Sequence, residues 1–280
     1  MVSYILYRIA SVLARIVPST IAEQIAAFIA LLFFMSRARI RKNVRRNLKA
    51  LNAHGVSTFT VFRNFSHSIT DFLRISSENC EELQELCIIK GKKNLDDALK
   101  EGKGAILFTS HLGPWEVAGA YLSSLGYNIH TVALEHPSGR VTRFFSEKRR
   151  SWGIRDYPPG ECAGNLLQAL RNGDVVVLLV DRNFTNRGRE LPFLGRKALF
   201  PDGHIVLAMR TSSPLIPCWC CYNDKGLIEE SIDEPIRLQQ GQENPTDIGR
   251  ICLEKIENSL RSHPEQWFAF DNLWPEVRNA

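Results

Sequence analysis

An α/β fold with a mainly parallel central sheet flanked by helices is predicted by the last two thirds of this 280-residue sequence. From about Leu86 onwards, short apolar runs alternate with helical segments of about ten residues, which is the pattern of βαβ units. The most apolar run, 174–180, is almost entirely valine and leucine, as in strands buried on both faces of a parallel sheet. Residues 1–36 are apolar as well, but a basic cluster follows them. A helical, membrane-associating segment is therefore predicted ahead of the sheet.

Two regions are expected, an N-terminal one over 1–52 and an α/β domain over 53–280. Residues 1–17 have the spacing of an amphipathic helix, and the uncharged run 24–36 is shorter than the ~20 residues that cross a bilayer as a helix. Seven cations without an acidic residue among them come next: Arg37, Arg39, Arg41, Lys42, Arg45, Arg46 and Lys49. Apolar helices beside a polybasic helix favour an anionic membrane surface. A solvated basic face is the alternative, and nucleic acid is disfavoured because no aromatic residues are interleaved.

The remaining elements follow from periodicity and from turn residues. A helix over 57–79 has an apolar stripe at helical spacing. Strands are predicted over 87–89, 104–110, 127–134, 174–180 and 215–222, and helices over 93–100, 115–125, 141–152, 162–172, 203–212 and 245–262. The seven cysteines are an odd number without framework spacing, which indicates buried thiols in a reducing compartment rather than disulfides.

The chain is organised around the stretch from Gly104 to Glu116. An apolar strand ends at His111, and Pro114 then opens a helix that carries Glu116 in its first turn. Ligands of open α/β sheets bind at this place, beyond the carboxyl ends of the strands. A histidine with a carboxylate partner can take a proton from a hydroxyl, because the carboxylate fixes the tautomer and stabilises the imidazolium. The alternative is structural, with Glu116 favoured by the helix dipole and His111 a hydrogen-bonded core residue.

Two arginine-rich segments are candidates for binding anions. The first follows the strand 174–180 and shares its sheet edge with His111. Its guanidinium groups match phosphate or sugar-phosphate oxygens, although an exposed charged loop is the alternative. The second spans 140–155 and is a solvated helix face or a docking surface for an acidic partner. No metal is expected near His111, because no second His or Cys lies at ligand spacing.

Five motifs together resemble the bacterial lipid A biosynthesis acyltransferase family, the late lauroyl and myristoyl transferases and the related phosphatidylinositol mannoside acyltransferases. In chain order they are Arg45-Arg46-Asn47-Leu48; Thr109 to Glu116, which is similar to the family's His-x4-acid motif; Asp181-Arg182-Asn183 with Phe193-Leu194-Gly195-Arg196; Pro201-Asp202-Gly203 through Thr211 to Pro214 and Pro217; and His263-Pro264-Glu265-Gln266-Trp267.

The resemblance implies a glycerolipid-acyltransferase-like fold and an O-acyltransferase at the cytoplasmic face of the inner membrane. The donor would be a thioester of acyl carrier protein or coenzyme A, and the acceptor a lipid or glycolipid hydroxyl, with no cofactor or metal. His111 would be the general base and Glu116 its partner. Contacts to the acceptor are expected from Arg182, Arg187, Arg189 and Arg196, with Glu190 a further candidate for the charge relay. The alternative function is a non-catalytic membrane-surface protein that binds anionic lipid or a protein partner.

Overall fold

The computed structural model describes residues 2–76, 80–185, 187–238 and 244–274. It confirms the predicted fold class, a mostly parallel sheet covered by helices. The helices are α1 (Val2–Ile16), α2 (Ser19–Ser36), α3 (Ala38–Ala50), α4 (Thr58–Arg74), α5 (Cys80–Leu86), α6 (Lys92–Leu99), α7 (Trp115–Ser124), α8 (Gly139–Ser151), α9 (Cys162–Arg171), α10 (Gly203–Thr211) and α11 (Pro245–Ser262), followed by a 3₁₀ turn (Pro264–Gln266). The strands are β1 (Cys87–Lys90), β2 (Ala105–Thr109), β3 (Ile129–Val132), β4 (Arg155–Tyr157), β5 (Val175–Leu179), β6 (Arg189–Phe193), β7 (Arg196–Phe200), β8 (Leu215–Tyr222) and β9 (Ile228–Ile232).

Seven of these strands form one sheet in the order β1-β9-β8-β2-β5-β3-β4. Neighbouring strands are parallel except for the β8–β9 hairpin. Strand β2 lies in the middle and is buried along its whole length. Ala105 and Leu107 point into the core on one face of the sheet, and Ile106 and Phe108 into the core on the other. Both faces are therefore covered, as the continuous apolar runs predict.

The first three helices pack around α4, the helix predicted over 57–79. The structure ends this helix at Arg74, and 77–79 lie outside the described residues. Ala22 and Ala30 are the buried residues of α2, and small side chains let this helix lie close to its neighbours. Val44 and Leu48 of α3 join the same apolar cluster as Phe62 of α4. Helix α2 has 18 residues and is, by length and composition, apolar enough to cross a membrane. The division at residue 52 stays a prediction.

Five elements were not predicted from the sequence: α5, β4, β6, β7 and β9. The β6–β7 hairpin includes the second half of the arginine-rich segment 181–196, for which an exposed loop was the alternative interpretation, because its strands alternate charged residues outside with Leu191 and Phe193 inside. Pro192 and four charged residues hide that alternation at the sequence level. The turn at Leu194 and Gly195 has positive φ at both positions, and Glu257 accepts the Leu194 N–H at 2.6 Å. As predicted, the cysteines whose side chains the structure describes carry free thiols, and five of these thiols are buried.

Candidate active site

His111 follows β2 directly, at the carboxyl edge of the sheet. The turn after it depends on Gly113, whose φ of +59° is in the left-handed region that favours glycine. A Cβ at this position would lie 2.3 Å from the carbonyl oxygen of Cys220, so a larger residue would push the turn off β8. The sequence Gly-Pro therefore serves two needs, a close backbone approach and the start of α7.

The register of β2 and β5 brings Asp181 to His111. Thr109 and Leu179 are paired residues of these parallel neighbours, and each functional residue stands two positions beyond its strand's paired residue. The N–H of Val180 donates to the carbonyl of Thr109 at 2.8 Å and extends the pairing past the strand ends. Because both chains leave the sheet in register, the two side chains meet.

His111 and Asp181 form a hydrogen-bonded pair. The distance from His111 Nδ1 to Asp181 Oδ1 is 2.7 Å, and the backbone N–H of His111 donates to the same oxygen at 3.1 Å. The aspartate side chain is fully buried, while the imidazole is 16% exposed. An ionised carboxylate only accepts, so Nδ1 carries the proton and the lone pair of the neutral ring lies on Nε2. The rings of Trp115 and Phe184 stand edge-on to the imidazole, with centroids 5.1 and 6.2 Å away.

Asp181 is held as a carboxylate despite its burial. Loss of solvent raises the pKa of this group, but the charge of His111, hydrogen bonds from His111 and Trp267 and the charge of Arg182 outweigh it. The pKa of Asp181 is therefore lowered from its ordinary value. A carboxylate of this kind keeps its charge at neutral pH and stabilises an imidazolium beside it.

The C-terminal segment after α11 packs against the His111–Asp181 pair. Trp267 Nε1 donates to Asp181 Oδ2 at 2.9 Å. The backbone of this segment pairs with the turn after β2: Gly113 N–H donates to the carbonyl of Gln266 at 2.9 Å, and Phe268 N–H to that of His111 at 2.8 Å. The segment around Trp267 therefore contacts both His111 and Asp181.

Glu116 has a different partner from the one predicted. Both of its carboxylate oxygens accept from the guanidinium of Arg149 on α8, with Nε to Oε2 at 2.9 Å. Arg149 also contacts Asp156 of β4 at 3.2 Å. The cause is position on the helix: the first turn of α7 brings Glu116 to the guanidinium of Arg149, while β5 supplies the carboxylate at His111. The predicted partnership of Glu116 with His111 is replaced by Asp181.

Of the candidate arginines, Arg182 lies beside the pair. Its guanidinium carbon is 4.6 Å from the centroid of Phe184, the ring that contacts His111, and its side chain forms an ion pair with Asp271. The other predicted contact residues are spread along the β6–β7 hairpin and the loop before it. Arg189 pairs with Asp202 at 3.2 Å, Arg196 lies over Trp274 at 5.5 Å, Glu190 faces Lys197 at 3.8 Å, and Arg187 is exposed. Glu190 therefore contacts Lys197 and not His111 or Asp181.

The basic stretch 140–155 is less exposed than its sequence indicates. Lys148 is buried and donates to the carbonyls of Leu73 and Ile75 at 3.0 Å, and burial lowers its pKa to about 7. Arg149 forms the ion pairs with Glu116 and Asp156 described above. Arg143 pairs with Glu147 at 3.1 Å along the helix, and the cations that stay exposed without a carboxylate contact are Arg140, Arg150 and Arg155.

The pair has the features of a general base. In the described part of the chain, no group hydrogen-bonds to His111 Nε2, so its lone pair is not engaged within these residues. The N–H of Gly113, a candidate donor to a developing oxyanion, is instead engaged with Gln266. Arg182 is a cation close to the pair, and its buried Nε has no hydrogen-bond partner in the part of the chain that the structure describes. Within 2–76, 80–185, 187–238 and 244–274, no group of three His, Cys, Asp or Glu side chains forms a metal site.

The chain belongs to the bacterial lipid A biosynthesis acyltransferase family, whose model matches residues 1–276. It is 28% identical to the phosphatidylinositol mannoside acyltransferase of Mycobacterium tuberculosis (strain CDC 1551 / Oshkosh) over 194 residues, 67% of this chain and 60% of that protein. It is 24% identical to the lipid A biosynthesis acyltransferase of Haemophilus influenzae over 196 residues, 69% of this chain and 60% of that protein. The matches thus span 60% of these relatives' lengths. The 1-acyl-sn-glycerophosphate acyltransferase PlsC of Thermotoga maritima superposes on 88% of the chain and 99% of its own with a TM-score of 0.43 and 11% identity.

Sequence reasoning missed Asp181 as the partner of His111, although Asp181 stood first in a segment already singled out. The sequence nevertheless contains a pattern that predicts the contact between His111 and Asp181. Both residues follow the end of a buried apolar run, and in-register parallel strands bring such residues together. Trp267 carried no comparable signal, because its position depends on the path of the chain after α11.

Proposed function

We propose that this protein is an O-acyltransferase that moves a fatty acyl chain from an acyl thioester to a hydroxyl group of a lipid or glycolipid acceptor. The observation that carries the proposal is the His111–Asp181 pair at 2.7 Å in a chain of this family. The two relatives described above are a phosphatidylinositol mannoside acyltransferase and a lipid A biosynthesis acyltransferase. The acceptor of this chain is accordingly expected among lipids with a hydroxylated headgroup.

The chemistry follows from the lone pair on His111 Nε2. This nitrogen takes the proton of the acceptor hydroxyl while the hydroxyl oxygen attacks the thioester carbonyl carbon. The tetrahedral oxyanion then collapses, the carbon–sulfur bond breaks, and the imidazolium returns the proton to the leaving thiolate. Asp181 stabilises the transient imidazolium, and general-base assistance of this kind is worth about 10²–10⁴ in rate. We assign the orienting role to Asp181 rather than Glu116, because Asp181 contacts the ring.

Arg182 is the best placed of the arginines to act on the substrates. Its guanidinium lies next to the pair, and one buried N–H donor has no partner among the residues that the structure describes. A donor of this kind stabilises a developing oxyanion or an anionic group of the acceptor. Arg187, Arg189 and Arg196 remain predictions for contacts farther out along the acceptor.

The membrane attachment proposed for residues 1–49 is supported by an apolar surface on α1 and α2. Among its members are Leu6, which is 59% exposed, Ile16 (74%), Phe28 (59%), Ile29 (59%) and Met35 (67%). Exposed apolar patches of this extent mark membrane or partner surfaces. Arg39, Lys42, Arg45 and Lys49 are exposed on α3 and suit an anionic leaflet. The cytoplasmic face of the inner membrane is where these features and an acyl thioester donor would meet.

A charge reversal on α8 tests whether an acyl carrier protein docks on the exposed cations of this helix. An acidic carrier protein would dock on the exposed cations of that region. The double variant Arg140→Glu/Arg150→Glu is expected to lose transfer from the carrier-bound donor at low salt while keeping transfer from acyl-coenzyme A. A variant that keeps its rate with the carrier-bound donor would rule out this docking surface.

An acyl-transfer assay tests the proposed function. Detergent-purified protein and the His111→Ala variant each receive a labelled acyl carrier protein thioester or acyl-coenzyme A, together with a bacterial lipid extract. Label entering a lipid with the wild type and falling by about 10²–10⁴ in the variant is the expected result, and the mass of the product identifies the acceptor. Equal transfer by both proteins would remove His111 from the mechanism. No transfer by folded wild type with either donor would favour the non-catalytic lipid-binding alternative.

A further inference from the structure

Trp267 places a buried indole N–H against the carboxylate of the pair. Its Nε1 lies 2.9 Å from Asp181 Oδ2, and the residue is 2% exposed. The contact is not a default of packing, since the buried indole N–H groups of Trp152 and Trp274 have no hydrogen-bond partner among the described residues. Trp267 differs from these two residues, because its N–H has an acceptor and that acceptor is the charged partner of His111.

We propose that Trp267 is a positioning residue of the acyl-transfer site, whose indole N–H holds the Asp181 carboxylate in the orientation that serves His111. The inference rests on the proposed role of His111 as general base. This role assigns a function to the motif His263–Trp267, which takes no direct part in the proton transfer.

The two oxygens of the Asp181 carboxylate have different donors. Oδ1 of Asp181 receives two donors, the ring Nδ1 and the backbone N–H of His111. Oδ2 receives the indole N–H, so each oxygen has a fixed task and rotation of the carboxylate would break all three bonds. A buried carboxylate that loses one of these donors is less well stabilised and becomes a stronger base.

Loss of the indole donor therefore has a defined consequence for His111. With one donor fewer, the Asp181 carboxylate attracts the imidazolium more strongly. We therefore expect the ring to stay protonated to a higher pH than in the wild type. The same loss lets the carboxylate rotate away from Nδ1, which weakens the hold on the productive tautomer. Both effects act on proton transfer rather than on substrate affinity.

The backbone around Trp267 is anchored independently of the indole. Gln266 accepts the N–H of Tyr222 at 2.7 Å and donates to its carbonyl at 2.9 Å, which ties the segment to the end of β8. The bonds from Gly113 and Phe268 hold it to the turn after β2. Removing only the N–H therefore leaves the path of the chain in place.

The experiment replaces the indole by an isostere. Benzothienylalanine, which has sulfur in place of the N–H, is incorporated at position 267 by nonsense suppression, and the same residue at position 152 is the matched control. Trp152 is also buried, but its N–H bonds to nothing in the described structure. Trp267→Phe is the genetically encoded companion. Rates of acyl transfer are recorded from pH 5 to 9 together with the thermal unfolding midpoint.

The isostere at position 267 is expected to lower kcat by about 10- to 100-fold, the loss of one hydrogen bond to a charged group. The acidic limb of the pH–kcat/KM profile should move upward by several tenths of a pH unit, while KM changes by less than about twofold. The isostere at position 152 should keep the wild-type profile. A wild-type profile and kcat at position 267 would overturn the inference.

A second readout separates this inference from the proposed function. The ring nitrogens of His111 are titrated by ¹⁵N NMR in the wild type and in both isosteres, which requires no substrate. An upward shift of that titration only at position 267, in a wild type without transferase activity, would support the contact and reject the proposed function. An active wild type that loses activity in His111→Ala, with no shift of the titration at position 267, would reject the inference alone.

Discussion

At the scale of single residues, the site depends on the fit between a buried carboxylate and three donors. His111 supplies two of them and Trp267 the third, so three of the roughly four acceptor sites of the Asp181 carboxylate are engaged. A second buried His–Asp pair, His130 with Asp174 at 3.1 Å, lies at the opposite end of β5. It provides a control that shares the chemistry but not the location.

Asp181→Asn is expected to reduce acyl transfer by about 10²–10⁴ while the protein stays folded. The amide has one acceptor oxygen and one donor nitrogen. If the oxygen serves His111, the amide nitrogen faces the indole N–H of Trp267, and two donors are opposed. If the amide is flipped, its nitrogen faces Nδ1 and favours the tautomer in which Nε2 carries the proton. Steady-state kinetics and thermal unfolding measure the effect, with Asp174→Asn as the control. Comparable loss of rate in both variants, or none at Asp181, would contradict the assignment.

At the scale of elements, Arg149 joins three parts of the fold. It lies on α8 and pairs with Glu116 of α7 and Asp156 of β4, with side chains 14%, 17% and 3% exposed. Its guanidinium is desolvated, but the two carboxylates raise the pKa above its ordinary value. A pair this well buried costs most when one partner is removed, because the other charge is left without compensation.

Arg149→Met is expected to destabilise the fold by about 3–5 kcal/mol, since Glu116 and Asp156 would remain as buried, uncompensated carboxylates. Arg143→Met, which breaks an exposed pair on the same helix, should cost under about 1 kcal/mol. Denaturant unfolding in detergent measures both. The double variant Glu116→Gln/Arg149→Met should be less destabilised than the sum of the single variants, and simple additivity would show that the two residues do not stabilise each other.

Strand β9 carries an unusual group, a glutamate on the buried face of the sheet. Glu230 is 2% exposed, and burial raises its pKa to about 8 despite a hydrogen bond from the Cys218 thiol. Between pH ~4.5 and about 8 the folded protein keeps the proton, whereas the unfolded chain has lost it. The folded state therefore binds more protons, and stability falls as the pH rises through this window.

Glu230→Gln removes that dependence. The free energy of unfolding of the wild type, relative to the variant, is expected to fall by up to about 1.4 kcal/mol per pH unit between pH ~4.5 and about 8. Unfolding curves at five pH values measure the difference. Glu229→Gln is the control, because Glu229 pairs with Lys90 at the sheet edge. A difference between wild type and Glu230→Gln that does not change with pH would contradict the assignment.

At the scale of the whole molecule, apolar surface is distributed unevenly. Fourteen of the exposed large apolar side chains belong to α1 and α2, and the basic face of α3 lies next in the chain. One face of α2 packs on α4 and the other is uncovered. A molecule with this asymmetry is expected to lie with its N-terminal helices against a lipid surface.

Phe28→Glu and Leu6→Glu are expected to weaken binding to vesicles that contain anionic lipid by at least about tenfold each, since burying one such side chain is worth roughly 1.5–3 kcal/mol. Vesicle co-sedimentation measures the partition. Ile251→Glu is the matched control, as Ile251 is 46% exposed but lies on α11. Equal loss in the control, or unchanged binding of the first two variants, would exclude this face as the membrane surface.

How much the sequence predicted can be judged from particular elements. Strands such as β2, β5 and β8 were predicted within a residue or two, because a strand buried on both faces has to be apolar throughout. The helices α7, α9, α10 and α11 were bounded by their glycine and proline signals. Strand β9 was missed because Glu229 and Glu230 interrupt its apolar pattern, and the β6–β7 hairpin because charges and a proline dominate its composition.

The sequence by itself determined the fold class, the place of His111 at the end of a buried strand, and the apolar-then-basic order of the N-terminus, since periodicity and composition are local properties. Only the tertiary structure decided which carboxylate meets His111. Glu116 is five residues away along the chain and Asp181 seventy, but strand register sets distance in the fold. The same holds for Trp267, which reaches Asp181 because the chain returns after α11 and pairs with the turn at Gly113. Contacts between distant segments carry no local pattern, and this site is made of them.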